Sequence, residues 1–153
     1  MAEIKKVLCA VDFTEYSTQL ADYGRTLARA FGAKVHVLYV APTLSQYVGF
    51  QVAPSSIENF VEEIITGAEQ TMEKFLQEHF ADFDAQGHVL SGYAADEIIS
   101  FARQQEADII IMGTHGRRGL DRILFGSVAE KVVKTSEIPV LTLRPRQERQ
   151  KTS

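Results

Sequence analysis

The stretch that decides the fold is residues 109–133, IIIMGTHGRRGLDRILFGSVAEKVV. It opens with the unbroken apolar run Ile109–Met112, short and rich in β-branched residues. A run without polar alternation reads as a strand buried on both faces, as in a parallel sheet covered by helices. Gly113, Thr114, His115 and Gly116 follow, then nine residues, then Gly126-Ser127-Val128 and a helical pattern to about Thr135. The spacing is Gly, two residues, Gly, nine residues, Gly-Ser. Gly113 and Gly116 are expected to turn the backbone with positive φ and to let an anion approach amide N–H groups with no Cβ in the way. Gly126 and Ser127 stand where the next helix begins, and its unpaired N–H groups and dipole favour negative charge. Arg117, Arg118 and Arg122 against Asp121 make the intervening segment locally basic. A polyphosphate suits that combination, although glycines at a strand end and a Gly-Ser helix start also occur in α/β proteins that bind no phosphate.

Three further runs share the buried-strand character: Val7–Val11, Val35–Val40 and Val140–Leu143. A weaker one, His88–Leu90, supplies a fifth strand. Between them lie helical periods. Tyr16, Leu20, Tyr23, Leu27 and Phe31 recur at steps of three and four, and Gly32 is placed to end that helix as a C-cap. Ile57, Val61, Ile64, Ala68, Met72, Phe75 and Leu76 form one stripe of a longer helix, and another helix covers Ala94–Gln105. Strands alternating with helices imply right-handed crossovers and a doubly wound α/β sandwich. Residues 41–56, with Pro42 and Pro54 and no clear period, read as a long loop. Residues 1–145 read as one domain, and 146–153 as a polar, disordered tail.

Bulk properties narrow the function. The 153 residues carry a net charge of −4, with 45% hydrophobic and 24% charged residues, the balance of a soluble globular protein with no global field toward nucleic acid or anionic lipid. Cys9 is the only cysteine, so no intrachain disulfide forms. Lying inside a strand, it reads as a small core residue rather than a nucleophile. No apolar run approaches the length of a membrane span or a secretory leader, so a cytoplasmic location is expected. His36, His79, His88 and His115 show no metal-ligand spacing. Asp12 has three readings: a cap for the helix that starts around Thr14, an acceptor of local backbone N–H bonds, or a carboxylate facing the same crevice as the glycine segment. A Walker-type lysine and serine pair is missing, as is an evident carboxylate to orient water, so binding rather than catalysis is expected.

The segments GTHGRRGLDRILFGSVAEKVV and SEIPVLTLRP, with VLCAVDFTEYS at the front, resemble the universal stress protein family from Ile4 to Pro145. The Gly-x2-Gly-x9-Gly-Ser pattern is similar at every fixed position to that of the family's nucleotide-binding branch. The resemblance implies an ATP-binding, stress-response regulatory protein with a five-stranded parallel sheet in the order 3-2-1-4-5. It implies phosphate contacts from Gly113, Gly116, Gly126 and Ser127, with Thr114, Arg117 and Val128 beside them. It also implies Asp12 near the nucleoside and a Mg²⁺ or Mn²⁺ ion held mainly by phosphates, and the Val40 backbone at the adenine edge. Phe125 stands where the family often has an aliphatic residue. A homodimer through strand 139–144 and an unidentified regulatory partner are implied as well. The alternatives are a slow ATP hydrolase or phosphotransfer enzyme in the same pocket, or a nucleotide-independent stress scaffold.

Overall fold

The computed structural model describes residues 1–43, 54–114 and 126–145. Its elements are β1 (Lys6–Ala10), α1 (Ser17–Phe31), β2 (Lys34–Ala41), α2 (Pro54–His79), β3 (Ala85–Ser91), α3 (Ala94–Gln104), β4 (Ile109–Gly113), α4 (Ser127–Thr135) and β5 (Val140–Leu143). The strands form one parallel sheet in the order β3-β2-β1-β4-β5. The sheet order that the family resemblance implies is therefore the observed one.

Strand alternation divides the core between the two faces. Val7 and Cys9 of β1, with Val35, Val37 and Tyr39 of β2, pack under α1 and α2 through Leu20, Ala21, Ala68, Met72 and Phe75. Leu8, Leu38, Ile110 and Met112 point the other way, onto Ile98, Phe101, Ala129 and Val132 of α3 and α4. Each fully buried aliphatic side chain contributes roughly 1.5–3 kcal/mol, so both layers are held by the same central strands. At the amino ends of the strands, Asp108 Oδ2 accepts hydrogen bonds from the Lys5 and Lys6 amides at 2.8 and 2.9 Å.

Several boundaries and faces differ from the sequence reading. The fifth strand is longer than His88–Leu90, because Gln86 and the flanking residues pair with β2 although their side chains are polar or small. Residues 54–56 belong to α2 rather than to a loop, with Pro54 at the first helical position, where its missing N–H is harmless. The rest of the expected loop, residues 44–53, lies outside the described residues, as does the tail 146–153. Gly32 ends α1 in the left-handed conformation, φ 62°, with its N–H on the Ala28 carbonyl, as expected.

The buried face of α1 overlaps only in part the period of Tyr16, Leu20, Tyr23, Leu27 and Phe31, sharing Leu20 and bordered by Leu27. It is Ser17, Leu20, Ala21, Gly24 and Ala28, while Tyr23 and Phe31 are exposed. Small residues let the helix lie close on β1. A Cβ on Gly24 would stand 2.8 Å from Cys9 Sγ and 3.3 Å from Phe80 Cζ. Cys9 is fully buried on a central strand, and burial pushes its thiol pKa up to about 12, which fits the core role expected of it. Gly24→Ala gains about 1 kcal/mol of helix propensity but overpacks this contact, at roughly 1–3 kcal/mol. We expect net destabilisation in urea unfolding, reduced when Cys9→Ala is added. A stabilised single variant would contradict the close α1–β1 packing.

Candidate functional site at the carboxyl ends of the strands

The connections leaving β1 and β2 place α1 and α2 on one face, and those leaving β3 and β4 place α3 and α4 on the other. β1 and β4 are neighbours whose chains depart to opposite faces, so a crevice opens beyond their carboxyl ends. The register fixes what meets there. Ala10 of β1 pairs with Leu38 of β2 on one side and Met112 of β4 on the other. Beyond these pairs, Val40 lies two residues on within β2, while Asp12 and Thr114 stand just past the ends of β1 and β4. The Val11 amide, bonded to the Leu38 carbonyl at 2.9 Å, continues the ladder past β1. These three sequence-predicted site residues therefore all lie at the carboxyl end of the sheet.

Asp12 accepts local hydrogen bonds through its Oδ1 without capping α1, whose N-cap, Tyr16, has no side-chain cap bond. That atom accepts hydrogen bonds from the Thr14 amide at 3.0 Å, the Thr14 hydroxyl at 2.6 Å and the Ser17 hydroxyl at 3.2 Å. The turn thus places the carboxylate at the head of α1, and Ser17 is buried beneath it. Neither hydroxyl was singled out from the sequence, although the Asp-x-Thr-x-x-Ser spacing carries an Asx-turn signal. Between Asp12 and Thr14, Phe13 has φ 60°, a left-handed conformation that costs a bulky residue roughly 1–2 kcal/mol. Its ring lies 4.8 Å from that of Tyr39 and 5.9 Å, edge-on, from that of Phe75. Aromatic pairs of this kind contribute roughly 0.5–1.5 kcal/mol beyond burial, enough to offset the strain.

On the other side of the crevice, the ends of the glycine segment are tied together. The Gly126 amide donates to the Thr114 carbonyl at 2.6 Å, and the Thr114 amide donates to the Leu143 carbonyl at 2.9 Å. Gly113 ends β4, paired with Leu143, and the glycines of positive φ among the described residues are Gly32 and Gly92. The expected turn at Gly113 is therefore corrected: this glycine is extended strand. Gly126 is the N-cap of α4 in an extended conformation, φ −70° and ψ 162°, with its own amide spent on Thr114. The first α4 bond runs from the Glu130 amide to the Gly126 carbonyl at 3.0 Å. The amides of Ser127, Val128 and Ala129 are the ones left at the helix start, beside the exposed Ser127. Gly116 and Arg117, together with His115, Arg118, Arg122 and Phe125, lie outside the described residues.

Among the described residues, no group of three or more His, Cys, Asp or Glu side chains is arranged to hold a metal ion. No helix among them is long and apolar enough to cross a membrane. An open groove between α1 and α2, lined in part by Thr14, Thr18, Thr71, Lys74 and His79, lies on the other side of the sheet from α4. Its Lys74 faces Glu78 at 3.8 Å, and Glu15 also lines it, so the groove is net acidic and unsuited to an anion.

The family model described as the universal stress protein family matches residues 3–144. Universal stress protein MJ0531 of Methanocaldococcus jannaschii is 35% identical over 142 residues, covering 92% of this chain and 82% of its own. The solved structure of MJ0577 from the same organism superposes with a TM-score of 0.83 at 27% identity, over 95% of this chain and 99% of that one. A universal stress protein from Archaeoglobus fulgidus solved in complex with dAMP superposes with a TM-score of 0.63, over 93% of this chain and 98% of that one. At 21% identity it shows the fold alone.

Proposed function

Because this chain belongs to the universal stress protein family, we propose that it is an ATP-binding regulatory protein of the stress response, acting in the cytoplasm. The observation that carries the reading is the closure of the glycine segment on the α4 N-terminus. The Gly126 amide bonds the Thr114 carbonyl beside the start of α4, where the Ser127, Val128 and Ala129 amides have no partner within the helix. Asp12, just past β1, and Val40, near the end of β2, lie at the same carboxyl end of the sheet.

In this reading the three amides and the Ser127 hydroxyl take phosphate oxygens, favoured by the helix dipole. Gly113, Gly116 and Gly126 keep side chains out of the way, and Thr114 holds the loop base. Arg117 offsets the phosphate charge. Asp12 meets the ribose, and the Val40 backbone meets the adenine edge. Asp12 Oδ1 already accepts bonds from two residues of its own turn, so Mg²⁺ or Mn²⁺ would be carried mainly by the phosphates. The dAMP complex of a relative supports a nucleotide in this fold. The complete Gly-x2-Gly-x9-Gly-Ser pattern supports ATP as the nucleotide here.

ATP acts by ordering: a ligand shifts a conformational equilibrium only by binding one state better than the other. We assign that role to residues 113–127, whose ordered form partners would read. The edge strand β5, paired on one side with β4, is the surface on which two copies would pair. Titration with ATP, ADP and AMP in the presence of Mg²⁺ tests the reading. Affinity that rises with phosphate number supports it, and binding indifferent to the phosphates would move the site away from α4.

A further inference from the structure

We propose that Phe13 is a positioning residue for the nucleoside, holding the Asp12 carboxylate at a fixed place relative to the end of β2. The ligand class is a ribose-bearing nucleoside phosphate, and the inference rests on the nucleotide reading above.

The backbone and the ring of Phe13 serve different ends. Its positive φ turns the chain so that the Thr14 amide and hydroxyl come back onto Asp12 Oδ1. A glycine would adopt that conformation without strain. The ring does what glycine cannot: it packs on Tyr39, the residue before Val40, and reaches Phe75 of α2. Asp12 follows β1 and Val40 lies in the neighbouring β2, and the Phe13–Tyr39 contact braces the turn carrying the first against the strand carrying the second. A bulky residue persists in the left-handed region only where its surroundings hold it there. Here those surroundings are the two rings. The ring contacts lie on the α1–α2 face, so Phe13 acts through Asp12 without touching the nucleotide.

The test is a double-mutant cycle read by Mg²⁺-ATP affinity. Phe13→Gly keeps the turn and removes the brace, and is expected to weaken binding about tenfold, the equivalent of 1.4 kcal/mol. Phe13→Tyr restores the ring and is expected to bind within about twofold of wild type. In an Asp12→Asn background, Phe13→Gly should cost little more, because residues that act as a unit are non-additive. A role in stability alone would instead give losses that add. Wild-type affinity in Phe13→Gly, or full additivity with Asp12→Asn, overturns the proposal. Should Phe13→Gly fail to fold, Tyr39→Leu removes the same contact from the other side and is judged by the same cycle. Failure of the wild-type chain to bind nucleotide would strike the site reading itself, a result separable from any behaviour of Phe13.

Discussion

Gly126→Val is expected to lower ATP affinity about 100-fold, equivalent to 2.7 kcal/mol, while leaving the stability of the nucleotide-free protein nearly unchanged. The separation follows from the geometry. With φ −70° and ψ 162°, Gly126 occupies extended backbone open to any residue, so valine introduces no strain. Its N–H, bonded to the Thr114 carbonyl, and its carbonyl, bonded to the Glu130 amide, are retained in the variant. What changes is the space in front of the Ser127, Val128 and Ala129 amides, where a branched side chain would stand in the path of phosphate oxygens. Competition binding measures the affinity, and thermal unfolding without nucleotide provides the control. Unchanged affinity would place the phosphates elsewhere. A large loss of stability would show that the Thr114–Gly126 closure is more constrained than its dihedral angles indicate.

Acidification from pH 7 to about 4.5 is expected to destabilise the protein through a pair of histidines. His36 Nδ1 and His88 Nε2 lie 3.0 Å apart, and both rings pack near Phe101 of α3. One neutral ring donates to the other. His36 is 3% exposed. Burial, then His88, Lys34 and Lys6, push its pKa down from 6.5 to about 4, with Asp84 acting weakly the other way. Burial and Lys34 lower His88 as well. Between these limits the unfolded chain binds more protons than the folded one. Stability is therefore complete above about pH 6.5 and is lost as the pH falls toward 4, by about 2–3 kcal/mol for His36. Hydrogen exchange should show the loss at β3 and α3, which meet at this pair. Replacing both residues together, His36→Leu with His88→Leu, removes the titrating groups without orphaning either ring. The double variant should lose most of the acid sensitivity above pH 4.5. An unaltered pH profile would assign the sensitivity to carboxylates.

The sequence made the central sheet legible because Val7–Val11, Val35–Val40 and Ile109–Met112, His36 apart, are apolar on both faces, as a doubly covered strand requires. β3 was only half visible, since an edge strand tolerates Gln86 and Ser91. The face of α1 was misread in part because periodicity weighs large side chains, whereas close packing here selects Ala21, Gly24 and Ala28. The site was readable where it is local: the glycine spacing and the start of α4. Its assembly was not. That Asp12, Val40 and Thr114 lie at the ends of neighbouring strands is a property of sheet order, and that His36 meets His88 is a contact 52 residues apart in the chain. Gly113 shows the opposite limit, for a glycine expected to turn is straight.

The central claim is that the crevice between β1 and β4 holds ATP. Calorimetric titration of the purified chain with ATP and Mg²⁺ tests it directly. We predict saturable binding of one nucleotide per chain with a dissociation constant below about 0.1 mM, that is, more favourable than roughly −5.5 kcal/mol. No saturable binding at millimolar ATP would contradict the account.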